Sequence, residues 1–158
     1  MFRNNAETMS TSTVARQKPR GRGALGAAVA LATVPVIAAF IDQQTARALG
    51  DHALSIYPAN GIDIDPGLLY VVTYSVAGIF FVLWLVAAIS SWISRRAALG
   101  TAIVVVVLNV AAALTMLFAT EYGDQVFPPI WGILVGLPAL AGALAIALNI
   151  RSRHAEVS

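Results

Sequence analysis

The stretch PGLLYVVTYSVAGIFFVLWLVAAISSWIS, Pro66 to Ser94, is followed by Arg95 and Arg96 and then by AALGTAIVVVVLNVAAALTMLFAT, Ala97 to Thr120. Neither apolar run holds a side chain charged at neutral pH, and each exceeds the roughly 20 residues that an α-helix needs to cross about 30 Å of hydrocarbon. The two arginines leave room only for a tight turn, so the runs read as an antiparallel pair of membrane-spanning helices. Two further uncharged runs flank the pair, Gly23 to Ile41 and Gln125 to Ile150. The chain therefore reads as all-α, a polytopic membrane protein with four transmembrane helices in an up-down bundle. The expected spans are 24–41, 68–93, 97–120 and 127–149, with an outer loop at 42–67 and polar tails at 1–22 and 151–158.

Composition agrees. Of the 158 residues 58% are hydrophobic and 11% charged, and the mean hydropathy is +0.77. A soluble domain of this size has too much surface for its volume to hide so much apolar area. Lipid must cover the remainder. The pI near 9.4 does not point to nucleic acid, because the basic residues flank the spans instead of sharing a soluble face. With no cysteine, disulfides, thiol nucleophiles and thiolate metal sites are excluded.

Charge sets the expected orientation. Arg3, Arg16, Lys18, Arg20 and Arg22 precede the first span, Arg95 and Arg96 join the second to the third, and Arg151 and Arg153 follow the fourth. Nine of the ten basic residues thus share one side. Arg47 and six of the eight carboxylates occupy the other. Basic flanks stay cytoplasmic, so both termini are expected inside a cell membrane. Lys18, Arg20 and Arg22 also suit anionic lipid, although orientation alone explains them.

The first run contains Pro35, where a kink is expected. Ala46, Arg47 and Ala48 match a small-x-small signal-peptidase pattern, but an apolar stretch of 18 residues is longer than a signal peptide's, so a retained span is expected. In the loop, Ala46, Leu49, Ala53 and Ile56 recur at helical spacing and end at Tyr57 and Pro58, which predicts a short amphipathic helix on the outer leaflet. Asp51, His52, Asp63 and Asp65 lack the offsets of a calcium loop and read as solvated. Tyr70, Tyr74 and Trp92 occupy the positions of an interfacial aromatic belt.

Two features bear on packing. Gly132 and Gly136 form a GxxxG pair, which Ala139, Ala143 and Ala147 continue at four-residue intervals; Ala24, Ala28 and Ala32 do the same in the first span. Small residues let helix backbones approach closely in lipid, where the hydrophobic effect no longer drives helices together. Asn109 is the one strongly polar residue expected near mid-bilayer, and its amide calls for a partner on another helix. Pro138 is a second candidate kink.

Tyr57-Pro58, Asp65-Pro66, Leu69-Tyr70, Glu121 to Gly123, Phe127 to Pro129 and Leu137 to Gly142 together resemble segments of uncharacterised small four-span membrane proteins of actinobacteria. The resemblance covers about 42–150 and implies no activity.

Three function classes follow. The first is a non-catalytic integral membrane protein, an accessory subunit, assembly factor or envelope scaffold whose partners are the bilayer and other membrane proteins or a second copy. The second is a small oligomeric transporter or channel with Asn109 lining the path and Asp42 or Glu121 at its mouth. The third is an outward-facing enzyme using His52, Asp63, Asp65, Glu121 and Asp124. No Walker loop, nucleophile elbow or HExxH motif is present. Both histidines lie outside the spans, where they could not hold a haem as intramembrane ligands. The first class is favoured, with no catalytic residue, cofactor or metal expected.

Overall fold

The computed structural model describes residues 21–154. Of the tails expected at 1–22 and 151–158, residues 1–20 and 155–158 lie outside the described residues, while Arg22 opens the first helix and 151–154 continue the last. The described chain runs α1 (Arg22–Ala32), α2 (Val34–Gln44), α3 (Ala48–Ile56), a 3₁₀ turn (Pro58–Asn60), α4 (Leu68–Ile93), α5 (Arg95–Phe118), a hairpin of two-residue strands β1 (Thr120–Glu121) and β2 (Asp124–Gln125), and α6 (Pro129–His154).

Among the described residues four segments are long and apolar enough to cross a membrane: Arg22–Gln44, Leu68–Ile93, Arg95–Phe118 and Pro129–Arg151. Only 28% of each most apolar window is buried inside the protein. Outward-facing side chains such as Ile79, Val107 and Leu140 are more than half exposed, and hydrocarbon is the solvent that such a surface requires. The chain is an all-α, multi-pass membrane protein. Each span packs chiefly on its neighbours in sequence, and the first closes against the fourth.

Local chemistry explains the ends. The first span breaks at Thr33, whose hydroxyl and amide both return to the Ala30 carbonyl at 2.7 and 3.2 Å. Pro35 then sits in the first turn of α2, where its missing N–H costs no helical bond. Ser94 is the only residue between α4 and α5; it is extended, and its hydroxyl accepts from the Ala97 amide at 3.0 Å. That cap starts α5 at Arg95, two residues ahead of the expected boundary. At the opposite end Tyr122 and Gly123 have φ of 55° and 93°, the two positive values that a two-residue hairpin of type I′ demands. The hairpin takes up Thr120, so α5 stops at Phe118. Downstream, α6 begins at Pro129 instead of residue 127 and continues to His154, past the expected end at 149.

The loop helix differs from its expected place. Leu49, Ala53 and Ile56 of α3 are buried, in one core cluster with Leu69, Tyr70, Met116, Phe127 and Trp131. It caps the bundle instead of resting on a leaflet. A second cluster, formed by Leu25, Ala28, Ala32, Phe80, Trp84, Val105 and Ala145, fills the half nearer the arginines.

A Cβ added at Gly142 would collide with the Trp84 ring and the Val106 side chain, whereas Gly78 and Gly100 have nothing within 4 Å. Gly142→Ala should therefore lower stability by about 1–3 kcal/mol, as overpacking does. Gly78→Ala and Gly100→Ala should be neutral or stabilising by up to about 1 kcal/mol, as expected for glycine replaced within a helix. Thermal unfolding of the three variants in detergent checks the contrast.

Candidate functional site

Two sets of polar groups fasten the fold, one deep in the bundle and one at the loop end. Deep in the bundle, Asn109 of α5 is fully buried. Its Oδ1 accepts from the Trp84 indole N–H of α4 at 3.0 Å, and its Nδ2 donates to the Val135 carbonyl of α6 at 2.8 Å. One amide thus joins three spans. Pro138 lies inside α6, three residues beyond Val135, and has no N–H to offer the Leu134 carbonyl. Thr73 and Ser90 are also buried, and each hydroxyl returns to a carbonyl of its own helix. Among the described residues no buried side-chain nitrogen or oxygen lacks a partner.

The small residues divide by face. Gly132 is buried, and a Cβ there would meet Leu117 Cγ at 2.5 Å and the Ala113 carbonyl oxygen at 3.0 Å; one at Gly136 would meet Ala113 Cβ at 3.3 Å. The GxxxG pair is therefore occupied inside the chain, against α5. Ala139 is buried, and so are Ala28 and Ala32, while Ala24 is half-buried. Ala143 and Ala147 correct the expected seam, because both face outward. The inward face continues instead through Gly142 and Ala145, which are buried.

The loop end is tied by side chains distant in sequence. Asp42, at the end of α2, accepts from the Ala48 and Leu49 amides at 3.1 Å each and from the Tyr70 hydroxyl at 2.6 Å. It caps α3 and anchors it to α4. The Tyr74 hydroxyl donates to Gln43 Oε1 at 2.9 Å, so both tyrosines tie α4 to the end of α2. Tyr57 donates to Glu121 at 2.6 Å, and His52 Nε2 lies 2.8 Å from the Gln125 carbonyl oxygen. These two bonds hold the hairpin against α3. The hydrogen bond to Glu121, then burial, then the Glu121 charge push the Tyr57 phenol up to about 12.

Of the residues considered for an enzyme, His52 and Asp124 line one open depression and Glu121 is held by Tyr57. Asp63 and Asp65 are exposed on the loop, where Asp65 accepts from the Gly67 amide at 2.8 Å. Among the described residues no three His, Asp or Glu side chains are grouped to hold a metal ion. Sequence reasoning missed the roles of Trp84 and Gly142, although an apolar-flanked indole deep in a span signals a buried donor in need of an acceptor. No known family model, curated protein or solved structure matches the chain.

Asn109→Leu would strand the indole N–H and should destabilise the bundle by about 1–3 kcal/mol. Combined with Trp84→Phe, its cost should fall below the sum of the single changes, which a double-mutant cycle in detergent measures. The raised Tyr57 value means that the fold favours the neutral phenol. That stabilisation is fully present below the ordinary value of 10 and is lost as pH rises through about 12. Phenolate absorbance missing from Tyr57→Phe should accordingly titrate near pH 12 and not near 10.

Proposed function

We propose that this chain is a non-catalytic integral protein of the cell membrane, with both termini cytoplasmic, acting as an accessory subunit, assembly factor or envelope scaffold. The observation that carries this reading is the use made of its polar groups. Asn109, the deep amide, spends both its oxygen and its nitrogen on holding α4, α5 and α6 together. Asp42 and Glu121, which would serve the mouth of a path, are engaged by Tyr70 and Tyr57. Groups that transport would need to expose are committed to fastening the fold, which favours the first class over a channel lined by Asn109.

The GxxxG face is spent within the chain, so a partner must meet an outward face. These faces differ in texture: α6 presents Ala143 and Ala147 beside Leu140 and Leu144, whereas α4 and α5 present larger side chains such as Val82 and Val107. Cytoplasmic termini are supported by the arginines at the end opposite the loop, following the preference of basic flanks for the cytoplasm.

Photo-crosslinking residues placed singly at Val82, Val107 and Ala143 in the native membrane test the proposal. A discrete protein adduct from one face, another membrane protein or a second copy, is the expected result. Lipid adducts alone at all three positions would contradict an accessory or scaffold role.

A further inference from the structure

The helix α3 has nine residues, too few to hold a helical shape alone in water. The chain turns through left-handed residues on both sides of it, Arg47 with φ of 54° before and Gly61 with φ of 75° after. Its buried face keeps it in place, and so do ties from its two ends to the bundle. At its start the Asp42 carboxylate accepts from the Ala48 and Leu49 amides at 3.1 Å each and from the Tyr70 hydroxyl of α4 at 2.6 Å. At its end the Tyr57 hydroxyl donates to Glu121 of the hairpin at 2.6 Å. Each end is thus fastened through a carboxylate that accepts from a phenol.

A bond of this kind has its full strength with the phenol neutral and the carboxylate ionised, and at Tyr57 it is the first cause of the raised phenol. Protonation turns one carboxyl oxygen into a donor, while Asp42 already serves three donors. Water reaches both acids, since Glu121 is exposed and Asp42 half-buried. Tyr70 of α4 faces Asp42, and Arg47 and Asp51 line a cavity beside that tyrosine. Around Glu121 stand Tyr57, Tyr122, whose ring meets Tyr57 edge-on at 6.2 Å, and Asp124, its partner across the hairpin. Neither α5 nor α6 brings a titratable side chain to this end. His52 Nε2 faces a carbonyl, to which it can only donate, and it does so with the ring neutral or charged. That tie survives acid.

We infer that α3 is an acid-released lid: protonation of Asp42 and Glu121 loosens it from α4 and the hairpin and uncovers the apolar core beneath, including Leu69, Phe127 and Trp131. The closed lid favours the ionised carboxylates, so closure is present while they are ionised and is lost as falling pH protonates them. The His52 bond keeps α3 beside the hairpin, from where it closes again when pH rises. The lid works on whichever side of the membrane the loop end faces, and it is independent of the role proposed above.

The chain contains no cysteine, so spin labels on introduced cysteines report the lid in the full chain reconstituted in bilayer nanodiscs. One pair sits at Leu54 on α3 and Phe118 at the end of α5, and a reference pair at Val82 and Leu140 monitors the spans; all four positions are exposed. Lowering the pH from about 7.5 to about 4, where carboxylates as a class take up protons, should shift the first pair to longer distances and leave the reference pair unmoved. The population of the longer distances should rise about tenfold, reversibly, as bonds to a charged group revert to the weaker neutral kind. Asp42→Asn combined with Glu121→Gln should show the acid distribution already at neutral pH. Tyr57→Phe combined with Tyr70→Phe, which removes the donors and keeps the carboxylates, should do the same and decides the matter if the first combination does not fold. Asp63→Asn, a change at an exposed carboxylate of the loop outside these ties, should behave as wild type. An unchanged distance in acid would overturn the lid, as would movement of the reference pair together with it, which marks general unfolding. So would a lid that stays closed at neutral pH in a double variant whose spans are intact, or one that Asp63→Asn opens equally.

Discussion

In hydrocarbon a polar group can find a partner only within the protein, and the bundle is organised around the place where that constraint is met. Asn109 would be costly beside lipid tails, yet with the Trp84 N–H on its oxygen and the Val135 carbonyl on its nitrogen it becomes the point at which three spans are joined. A pair of this kind adds about 0.6 kcal/mol on average in a membrane, and rarely much more than 1.7. Its larger effect is on register. Sliding α4 or α6 along α5 by one turn would strand a donor or an acceptor that no water could reach. Close packing then works on helices already aligned: Gly142 accommodates the Trp84 ring, and Gly132 lets α6 approach the Ala113 carbonyl.

The two ends of the bundle solve different problems. At the loop end the carboxylates of Asp42 and Glu121 are absorbed by tyrosine hydroxyls and backbone amides, and α3 closes the core with Leu49, Ala53 and Ile56. That end is a lid built by long-range contacts. At the other end the Arg22 and Arg95 guanidinium groups donate to backbone carbonyls, and Arg22 lies over an indole. The asymmetry of charge that suggests an orientation in the membrane is also what distinguishes the chemistry of the two surfaces.

The spans were legible because long runs without charge have one physical meaning, and a tight turn between the second and third was legible because only Arg95 and Arg96 separate them, although the chain makes it at Ser94 and begins α5 at Arg95. The need of Asn109 for a partner followed from its depth. Which partner did not follow, since an indole 25 positions away and a carbonyl 26 positions away meet it only once three helices are packed. The seam on α6 was half legible. Gly132, Gly136 and Ala139 lie on the inward face, and at about 100° per residue Ala143 falls within about 20° of Gly132, so spacing alone does not turn it outward. Beyond Pro138 the buried face moves round the helix to Gly142 and Ala145, with Gly142 against the Trp84 ring of α4 and Ala145 in the cluster with Leu25 of α1. The ties from Tyr57 to Glu121 and from His52 to Gln125 leave no local pattern, and α3 reads as a leaflet helix until those ties place it on the bundle.

The central claim is that the small-residue face of α6 is spent on α5 of the same chain. The natural sequence contains no cysteine, so a pair introduced at Ala113 and Gly136 can be oxidised in native membranes without side reactions. A Cβ at Gly136 would lie 3.3 Å from that of Ala113, close to the separation that a disulfide spans. The account predicts a disulfide within one chain, seen as a faster-migrating monomer that reduction reverses. Disulfide-linked dimers, formed by the pair and by each single cysteine, would contradict it.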